Sequence, residues 1–215
     1  MMSYRRQSGF NLGPVALLII TNLIMFIARV VRPDFIISQF ALQPASLATH
    51  PWAILSNIFI HADFGHILTN MLTLYFFGTY LIQLIGERKF LTVYFLGGLA
   101  GNILYVLLVY LLQESPYIPA VGASGAIFAV GGALTVLRPN LPVFIFPLPI
   151  PVALWIAVIG GFVLLSFMPG VAWQAHLGGL VLGMVLALYF RGRGRSTSNY
   201  LSDLDEKARI WRQQR

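Results

Sequence analysis

The stretch VGASGAIF, residues 121–128, places a single serine between two glycines at the start of an apolar segment. That segment ends at Arg138, about 14 residues after Ser124, which corresponds to about 21 Å of α-helix. The hydrocarbon core of a bilayer is about 30 Å thick. The stretch therefore predicts a short helix whose Ser124 end begins below the membrane surface. Irregular backbone at that depth is tolerated only where protein covers it or where it lines a water-filled cavity.

The composition of the whole chain indicates an integral membrane protein. Of its 215 residues 58% are hydrophobic and 10% are charged, whereas about a quarter of the residues of soluble domains are charged. We predict an all-α polytopic protein: one six-helix membrane domain over residues 1–190, with a short recessed fourth helix, and a basic tail over residues 191–215. The six predicted spans lie at about 12–31, 64–85, 90–112, 122–137, 143–167 and 171–190. No small-residue cleavage site follows the first span, so we interpret it as a retained helix and not as a signal peptide.

The positions of the basic residues predict the orientation in the membrane. Six spans put both chain ends on one side, and that side receives 12 of the 14 lysines and arginines, all except Arg29 and Arg32. Because cytoplasmic segments are enriched in lysine and arginine, this side is predicted to be cytoplasmic. We expect a multi-pass protein of the plasma (cell) membrane with both termini cytoplasmic. Its basic tail would contact lipid headgroups and bind no nucleic acid.

A small set of polar side chains falls inside the predicted spans. His66 and Asn70 are four residues apart, which places them on one helix face, and Ser124 and His176 open the fourth and sixth spans. With both ends on one side, these spans run in the same direction, so all four side chains lie in the same outer half of the membrane. Polar groups at such depth mark function more often than not.

Several kinds of site are disfavoured by what the spans do not contain. All seven acidic residues lie in loops or in the tail, which argues against a paired-aspartate protease and against a carboxylate proton relay. The chain has no cysteine and no His-Glu-x-x-His motif, and His61 and His66 would be about 140° apart on a helix, a poor pair for one metal. We therefore expect no metal and no cofactor.

Each of these features also has a structural interpretation. A serine in the first helical turn is usually an N-cap, a lone buried histidine is more often a hydrogen-bonding group than a base, and pairs such as Gly97 with Gly101 are common packing motifs. These interpretations do not predict that the polar side chains meet at one depth. A helix start also presents unpaired N–H groups that can hold an oxyanion.

Three motifs, in order over about residues 50–190, resemble those of the rhomboid intramembrane serine proteases. They are His61-x4-His66-x3-Asn70, Gly122-Ala123-Ser124-Gly125, and Ala175-His176-Leu177-Gly178-Gly179 with Gly183. The resemblance implies a Ser-His dyad in which Ser124 is the nucleophile and His176 is the general base. It also implies an oxyanion site formed by His66, Asn70 and the Ser124 amide. The supporting residues would be Gly122, Gly125, Phe128, Gly179 and Gly183.

The same resemblance implies that the substrates are transmembrane proteins. A substrate helix would approach sideways near spans two and five and be cut near its outer end, after a small residue, under a cap loop at Met168 to Trp173. Two positions depart from the pattern of many relatives, which have Trp-Arg in the first outer loop and an acid in span two. Here the residues are Trp52-Ala53 and Ile82. These departures concern the anchoring of the first outer loop and leave the dyad untouched.

Two other classes of function stay open at this point. A catalytically silent relative could bind membrane clients, although such proteins usually lack the serine or the histidine, and this chain has both. A small transporter or a histidine-ligated metal protein is disfavoured by the lack of carboxylates in the spans.

Overall fold

The computed structural model describes residues 13–144 and 150–192, and these residues are mostly helical. The elements are α1 (Pro14–Val31), α2 (Pro33–Phe40), α3 (Ala53–Ser56), α4 (Phe64–Ile85), α5 (Glu87–Leu111), α6 (Ser124–Leu137), β1 (Pro142–Phe144), β2 (Pro151–Ala153), α7 (Leu154–Ser166) and α8 (Trp173–Gly192). Single 3₁₀ turns lie at Pro44–Ser46 and Asn57–Phe59. The predicted basic tail lies outside the described residues, apart from Arg191 and Gly192 at the end of α8.

Among the residues that the structure describes, four helices are long and apolar enough to cross a bilayer: α1, α4, α5 and α8. This confirms the prediction of a multi-pass integral membrane protein. The helices α6 and α7 are apolar but shorter, with 14 and 13 residues. The count of six spans and the depth of α6 therefore stay predictions.

The fifth predicted span differs from the structure at its beginning. The prediction began a helix at residue 143, but α7 starts only at Leu154, after a two-stranded antiparallel hairpin in which Val143 pairs with Val152. Proline cannot donate a backbone hydrogen bond and disrupts a helix interior, and residues 142–151 contain four prolines. These prolines, and not the hydropathy of the segment, determine where α7 begins. The described residues are mostly helical, in agreement with the predicted all-α class, and this short hairpin departs from it.

The central element is α6, which other helices surround. Ten of its 14 residues are buried, and they occupy all sides of the helix, as expected of a helix inside a bundle. Small residues bring its neighbours close: a Cβ atom on Gly97 of α5 would overlap the side chain of Ala129, and one on Gly132 would overlap the Leu180 carbonyl of α8. The helices α5 and α8 therefore approach α6 closely at these glycines.

The helix α4 is irregular in its middle. Asp63 caps its first turn, since its Oδ1 accepts a hydrogen bond from the His66 amide at 2.8 Å. Further along, Leu74–Gly78 forms a π-helical segment before α-helical geometry resumes at Thr79. Such π segments rotate one half of a helix relative to the other and occur frequently at functional sites.

The connection between α1 and α4 is tied to the segment that leads into α6. The backbones of Leu42 and Ala120 exchange two hydrogen bonds, of 3.0 and 2.8 Å. The Ala45 amide donates to the Pro116 carbonyl at 3.0 Å, and the Tyr110 hydroxyl donates to the Pro44 carbonyl at 3.1 Å. This connection is long but anchored, and its anchors lie at the end of the bundle where α6 begins.

Candidate active site

Ser124 and His176 meet between the first turns of α6 and α8. Ser124 is the first residue of α6, and its Oγ lies 2.7 Å from Nε2 of His176. The Phe128 ring, one helical turn below Ser124, packs on the His176 ring with centroids 4.7 Å apart and planes tilted by 32°. Within the part of the chain that the structure describes, Nδ1 of His176 is buried and has no hydrogen-bond partner. The imidazole is thus held by one hydroxyl and by an aromatic face.

Close contact between α6 and α8 places these two side chains within reach of each other. A Cβ atom on Gly179 would overlap the Gly125 carbonyl, and one on Gly183 would overlap the Ala129 carbonyl. A Cβ on Gly125 itself would lie 3.2 Å from the Ala175 carbonyl oxygen. Because glycine lacks this atom, the two backbones approach far more closely than side chains would allow. The four-residue spacing of Gly179 and Gly183 thus places both glycines on the face of α8 that packs against α6.

His66 approaches the same region from α4. Its Nδ1 accepts a hydrogen bond from the Ala62 amide at 3.4 Å, so the neutral ring carries its proton on Nε2. Gly122 faces that nitrogen: a Cβ atom on Gly122 would lie 2.7 Å from Nε2 and 3.6 Å from Oγ of Ser124. Gly122 also has a φ of +121°, which side chains rarely adopt. Nε2 of His66 therefore lies next to Gly122, two residues before Ser124.

Asn70 lies one turn after His66 on the same face of α4, as its spacing predicted. It is buried, and its Nδ2 donates to the His66 carbonyl at 2.9 Å. An amide NH₂ group has two hydrogens, so one donor of Asn70 remains for another acceptor. Asn70 and Ser124 both line the groove described below.

His61 is more buried than its position at a loop edge indicated. It has no exposed surface, its Nε2 accepts a weak 3.5 Å hydrogen bond from the Ala123 amide, and its ring meets that of His66 edge to face at 5.0 Å. Burial is the main cause that lowers the pKa of His61 to about 3, and the neighbouring His66 lowers it further. His61 is therefore neutral and packs behind His66.

An apolar groove of about 820 Å³ opens beside Ser124, between α4, α6 and α7. Its inner end is formed by the hairpin through Val143 and Phe144. Other lining residues are Thr69, Leu72, Thr73, Phe76, Phe77, Ile127, Phe128, Gly131, Ala157, Val158, Gly161 and Leu165. The groove is large enough for extended side chains and runs from the serine along α7.

Metal binding has no support in the described residues. Between residues 13 and 144 and between 150 and 192, no three His, Asp or Glu side chains lie close enough together to hold a metal ion. His61 and His66 contact each other as rings, and His176 contacts Ser124 instead of a second histidine.

The segment that connects α1 to α4 is anchored although Ala53 and Ile82, the two positions that depart from the pattern of many relatives, provide no polar side chain. Ala53 is buried with no side chain to donate a bond, and Ile82 packs against the apolar core. In their place, Ser56 Oγ donates to the Phe40 carbonyl at 3.0 Å and Trp52 Nε1 donates to the Gln39 carbonyl at 2.7 Å. The segment is therefore anchored through local backbone contacts.

Sequence reasoning missed one polar pair near this site. Asn57 and Asn102 are both buried and exchange two side-chain hydrogen bonds. The only available signal was that each asparagine stands in an apolar surrounding sequence. Their pairing across 45 positions depends on tertiary packing, which spacing does not reveal.

Comparison with known proteins agrees with this geometry: the chain belongs to the rhomboid family, whose Rhomboid domain model matches residues 48–193. It is similar to Rhomboid protein 1, mitochondrial, of Saccharomyces cerevisiae, with 29% identity over 71% of this chain and 46% of the yeast protein. It is similar to RHOMBOID-like protein 12, mitochondrial, of Arabidopsis thaliana, with 28% identity over 78% of this chain and 55% of the plant protein. It is also similar to Rhomboid protease GluP of Bacillus subtilis, with 32% identity over 63% of this chain and 25% of that protein.

The chain spans about half the length of the first two of these relatives. The match to the Rhomboid domain nevertheless includes all of α4 to α8 and every residue of the candidate site.

Proposed function

We propose that this chain is an intramembrane serine endopeptidase that hydrolyses peptide bonds in or near the transmembrane helices of membrane-protein substrates. The observation that supports this most directly is the 2.7 Å contact between Oγ of Ser124 and Nε2 of His176. A serine is a weak nucleophile unless a base accepts its proton, and this distance is a hydrogen-bond distance.

In the first half of the reaction, Oγ of Ser124 attacks the carbonyl carbon of the scissile bond while Nε2 of His176 takes the hydroxyl proton. The carbonyl oxygen becomes an oxyanion, for which three N–H donors are at hand: Nε2 of His66, Nδ2 of Asn70 and the Ser124 amide. The Ser124 amide belongs to the first turn of α6, where N–H groups have no partner in the helix. Loss of one such donor typically costs about 10² to 10³ in rate.

In the second half, the C–N bond breaks and His176 gives its proton to the departing amine. This leaves an ester between Ser124 and the acyl part of the substrate. A water molecule then attacks the ester carbonyl, His176 takes a proton from that water, and the serine leaves with the proton returned by His176. The reaction needs no metal and no cofactor.

A carboxylate partner for His176 is not part of this proposal. In many serine hydrolases an aspartate orients the base, but here the Phe128 ring stacks at 4.7 Å on the imidazole. Stacking restricts rotation of the ring, so Nε2 stays directed at Ser124. The proposed role of Phe128 is thus orientation and not proton transfer.

The groove beside Ser124 suits a transmembrane substrate. It lies between α4 and α7, which correspond to the predicted spans two and five, and its lining is mainly apolar. A substrate helix that approaches from the lipid would unwind at the Ser124 end, because helical carbonyls are shielded by their own hydrogen bonds. Residues 168–173, which lead from α7 to the first residue of α8, would form the cap over the site, and cleavage would follow a small residue.

The proposal includes the membrane arrangement. The helices α6 and α7 complete six spans, Ser124 lies below the outer surface, and both chain ends lie on the basic side of the membrane. Similar proteins include mitochondrial ones by name as well as a protease of a bacterium. The plasma membrane predicted from the sequence therefore remains one of two candidates.

The test is proteolysis by the purified chain in liposomes that contain a transmembrane model substrate. We expect cleavage by the wild type, and none by Ser124→Ala or His176→Ala. Matched controls are Ser38→Ala on α2 and His50→Ala in the first connection, which lie outside the site and should cleave normally. A serine-reactive fluorophosphonate should label the wild type and both controls but neither dyad variant. Cleavage by either dyad variant would refute the assignment.

A further inference from the structure

A buried pair of asparagines lies directly behind the candidate active site. Asn57 and Asn102 are 2% and 4% exposed, so neither side chain exchanges freely with water. Nδ2 of Asn102 donates to Oδ1 of Asn57 at 2.7 Å, and Nδ2 of Asn57 donates to Oδ1 of Asn102 at 3.1 Å. Each amide therefore satisfies the other, which is the condition under which buried polar groups are tolerated.

The pair joins two parts of the molecule, the packed helix α5 and the segment that connects α1 to α4. Asn102 lies within α5, where a Cβ atom on the adjacent Gly101 would overlap the Ala175 carbonyl of α8. Asn57 lies in the connection that precedes α4, in the 3₁₀ turn Asn57–Phe59. A second bond from Nδ2 of Asn102 reaches the Ile54 carbonyl at 2.7 Å. One side chain of a packed helix thus fixes two points of the connecting segment.

Asn57 in turn holds the turn that precedes Ser124. Its main-chain carbonyl accepts the amide hydrogen of Gly122 at 3.0 Å. Gly122 is the residue with the φ of +121° that faces Nε2 of His66, and Ser124 follows two residues later. The contacts therefore run from α5 through Asn102 and Asn57 to the turn that separates the nucleophile from an oxyanion donor.

We infer that Asn57 and Asn102 are positioning residues for the oxyanion site: their amide pair fixes the Gly122 turn relative to His66 and Ser124. This inference rests on the proposed proteolytic function. The side-chain hydrogen bonds of the pair go to each other and to the Ile54 carbonyl, and neither residue lines the groove, so the pair acts through the backbone of Gly122. A misplacement of about 1 Å in a catalytic site can cost about 10²-fold in rate, so a modest shift of this turn suffices for a measurable effect.

The experiment compares three variants of the full chain in liposomes: Asn57→Ala, Asn102→Ala and the double variant. We expect kcat for a transmembrane substrate to fall about tenfold or more in each, with KM changed by less than about twofold, because the groove is untouched. The double variant should lose no more activity than the worse single variant, since both act through one contact. Fluorophosphonate labelling of Ser124 should slow by a similar factor, although this probe has no helix to bind.

The matched control is Asn22→Ala. Asn22 of α1 is also fully buried, and its Nδ2 is bonded to the Leu18 carbonyl at 2.8 Å, away from the site. It should lower thermal stability in detergent as the other variants do but leave kcat and the labelling rate within about twofold of wild type. If Asn57→Ala and Asn102→Ala lose no more activity than Asn22→Ala, or if KM rises while kcat holds, the pair is only structural and the inference is wrong.

Two further measures keep the outcome decisive. If an alanine variant is not recovered folded, Asn57→Asp replaces it: this nearly isosteric variant keeps the acceptor for Asn102 and, when ionised, loses the donor, and kcat should still fall by about threefold or more. An unchanged kcat in that variant would overturn the inference.

Failure of the proposed function gives a different result: the wild type itself neither cleaves the substrate nor is labelled at Ser124. If wild-type cleavage depends on Ser124 and His176 but the asparagine variants are fully active, the inference is wrong while the proposed function stands.

Discussion

The position that a Cβ atom of Gly122 would occupy lies 2.7 Å from Nε2 of His66, which leaves room for no side chain between the two residues. The φ of +121° at Gly122 adds a second reason for glycine, since other residues are strained in that conformation. Steric contact and backbone conformation therefore impose the same requirement on this turn.

The variant Gly122→Ala separates these two causes when it is compared with Gly86→Ala. Gly86 also has a positive φ, of +82°, but nothing lies within 4 Å of its Cβ position. Both variants should lose about 1 to 3 kcal/mol of stability through backbone strain. Only Gly122→Ala should also lower kcat, by about 10² or more, because it displaces the His66 donor. Thermal melts and cleavage assays on both variants measure this, and equal activity in the two would contradict the role of the contact with His66.

The glycine contact between α8 and α6 predicts an effect at a distance from the dyad. Gly183→Ala places a methyl group on the Ala129 carbonyl and should push α8 away from α6. Overpacking of this kind costs about 1 to 3 kcal/mol, and the shift should lengthen the contact between Ser124 and His176. We expect lower thermal stability and at least tenfold slower cleavage.

The control for that variant is Gly160→Ala in α7, whose added methyl group has nothing within 4 Å. It adds the same methyl group to a neighbouring helix and should lower neither thermal stability nor the cleavage rate. A Gly183→Ala protein that cleaves at the wild-type rate would show that the dyad does not depend on this contact.

Phe128 offers a test of how the histidine is oriented. Phe128→Ala removes the ring that stacks on His176, and we expect kcat to fall about tenfold. Phe128→Tyr keeps the aromatic face and should retain most of the activity. Steady-state cleavage by both variants decides this, and a Phe128→Ala enzyme with unchanged kcat would exclude the orienting role.

His61 predicts a pH dependence of stability. Because its pKa falls from 6.5 to about 3 on folding, the unfolded chain binds a proton below about pH 6.5 that the folded protein does not. The stabilisation is complete above that pH and is lost progressively as the pH falls towards about 3, by up to about 1.4 kcal/mol per pH unit. His61→Asn should flatten the decrease in thermal stability between about pH 6.5 and about pH 4.5. A decrease as steep as that of wild type would contradict the assignment of this pH dependence to His61.

Much of this arrangement is predictable from the sequence because the chemistry is carried by rare residues. Polar side chains in an apolar chain are few, and helical geometry puts His66 and Asn70 on one face. The structure then brings Ser124 and His176 to 2.7 Å, although their catalytic roles stay predictions.

The features that were missed depend on tertiary contacts or on residues that hydropathy ignores. The start of α7 at Leu154 follows from the preceding prolines, while apolar composition alone extended that span to residue 143. The π-helical segment at Leu74–Gly78 leaves no distinct mark in an apolar sequence. The pairing of Asn57 with Asn102 required α5 and the first connection to be packed together.

The burial of α6 on all sides has a consequence for the lipid environment. A change in bilayer thickness is felt first by helices that touch acyl chains, which respond by tilting. The helix that begins with Ser124 is surrounded by neighbouring helices, so a change in bilayer thickness does not act on it directly. We expect thin and thick membranes to alter how readily a client helix reaches the groove, while the register between hydroxyl and imidazole stays the same.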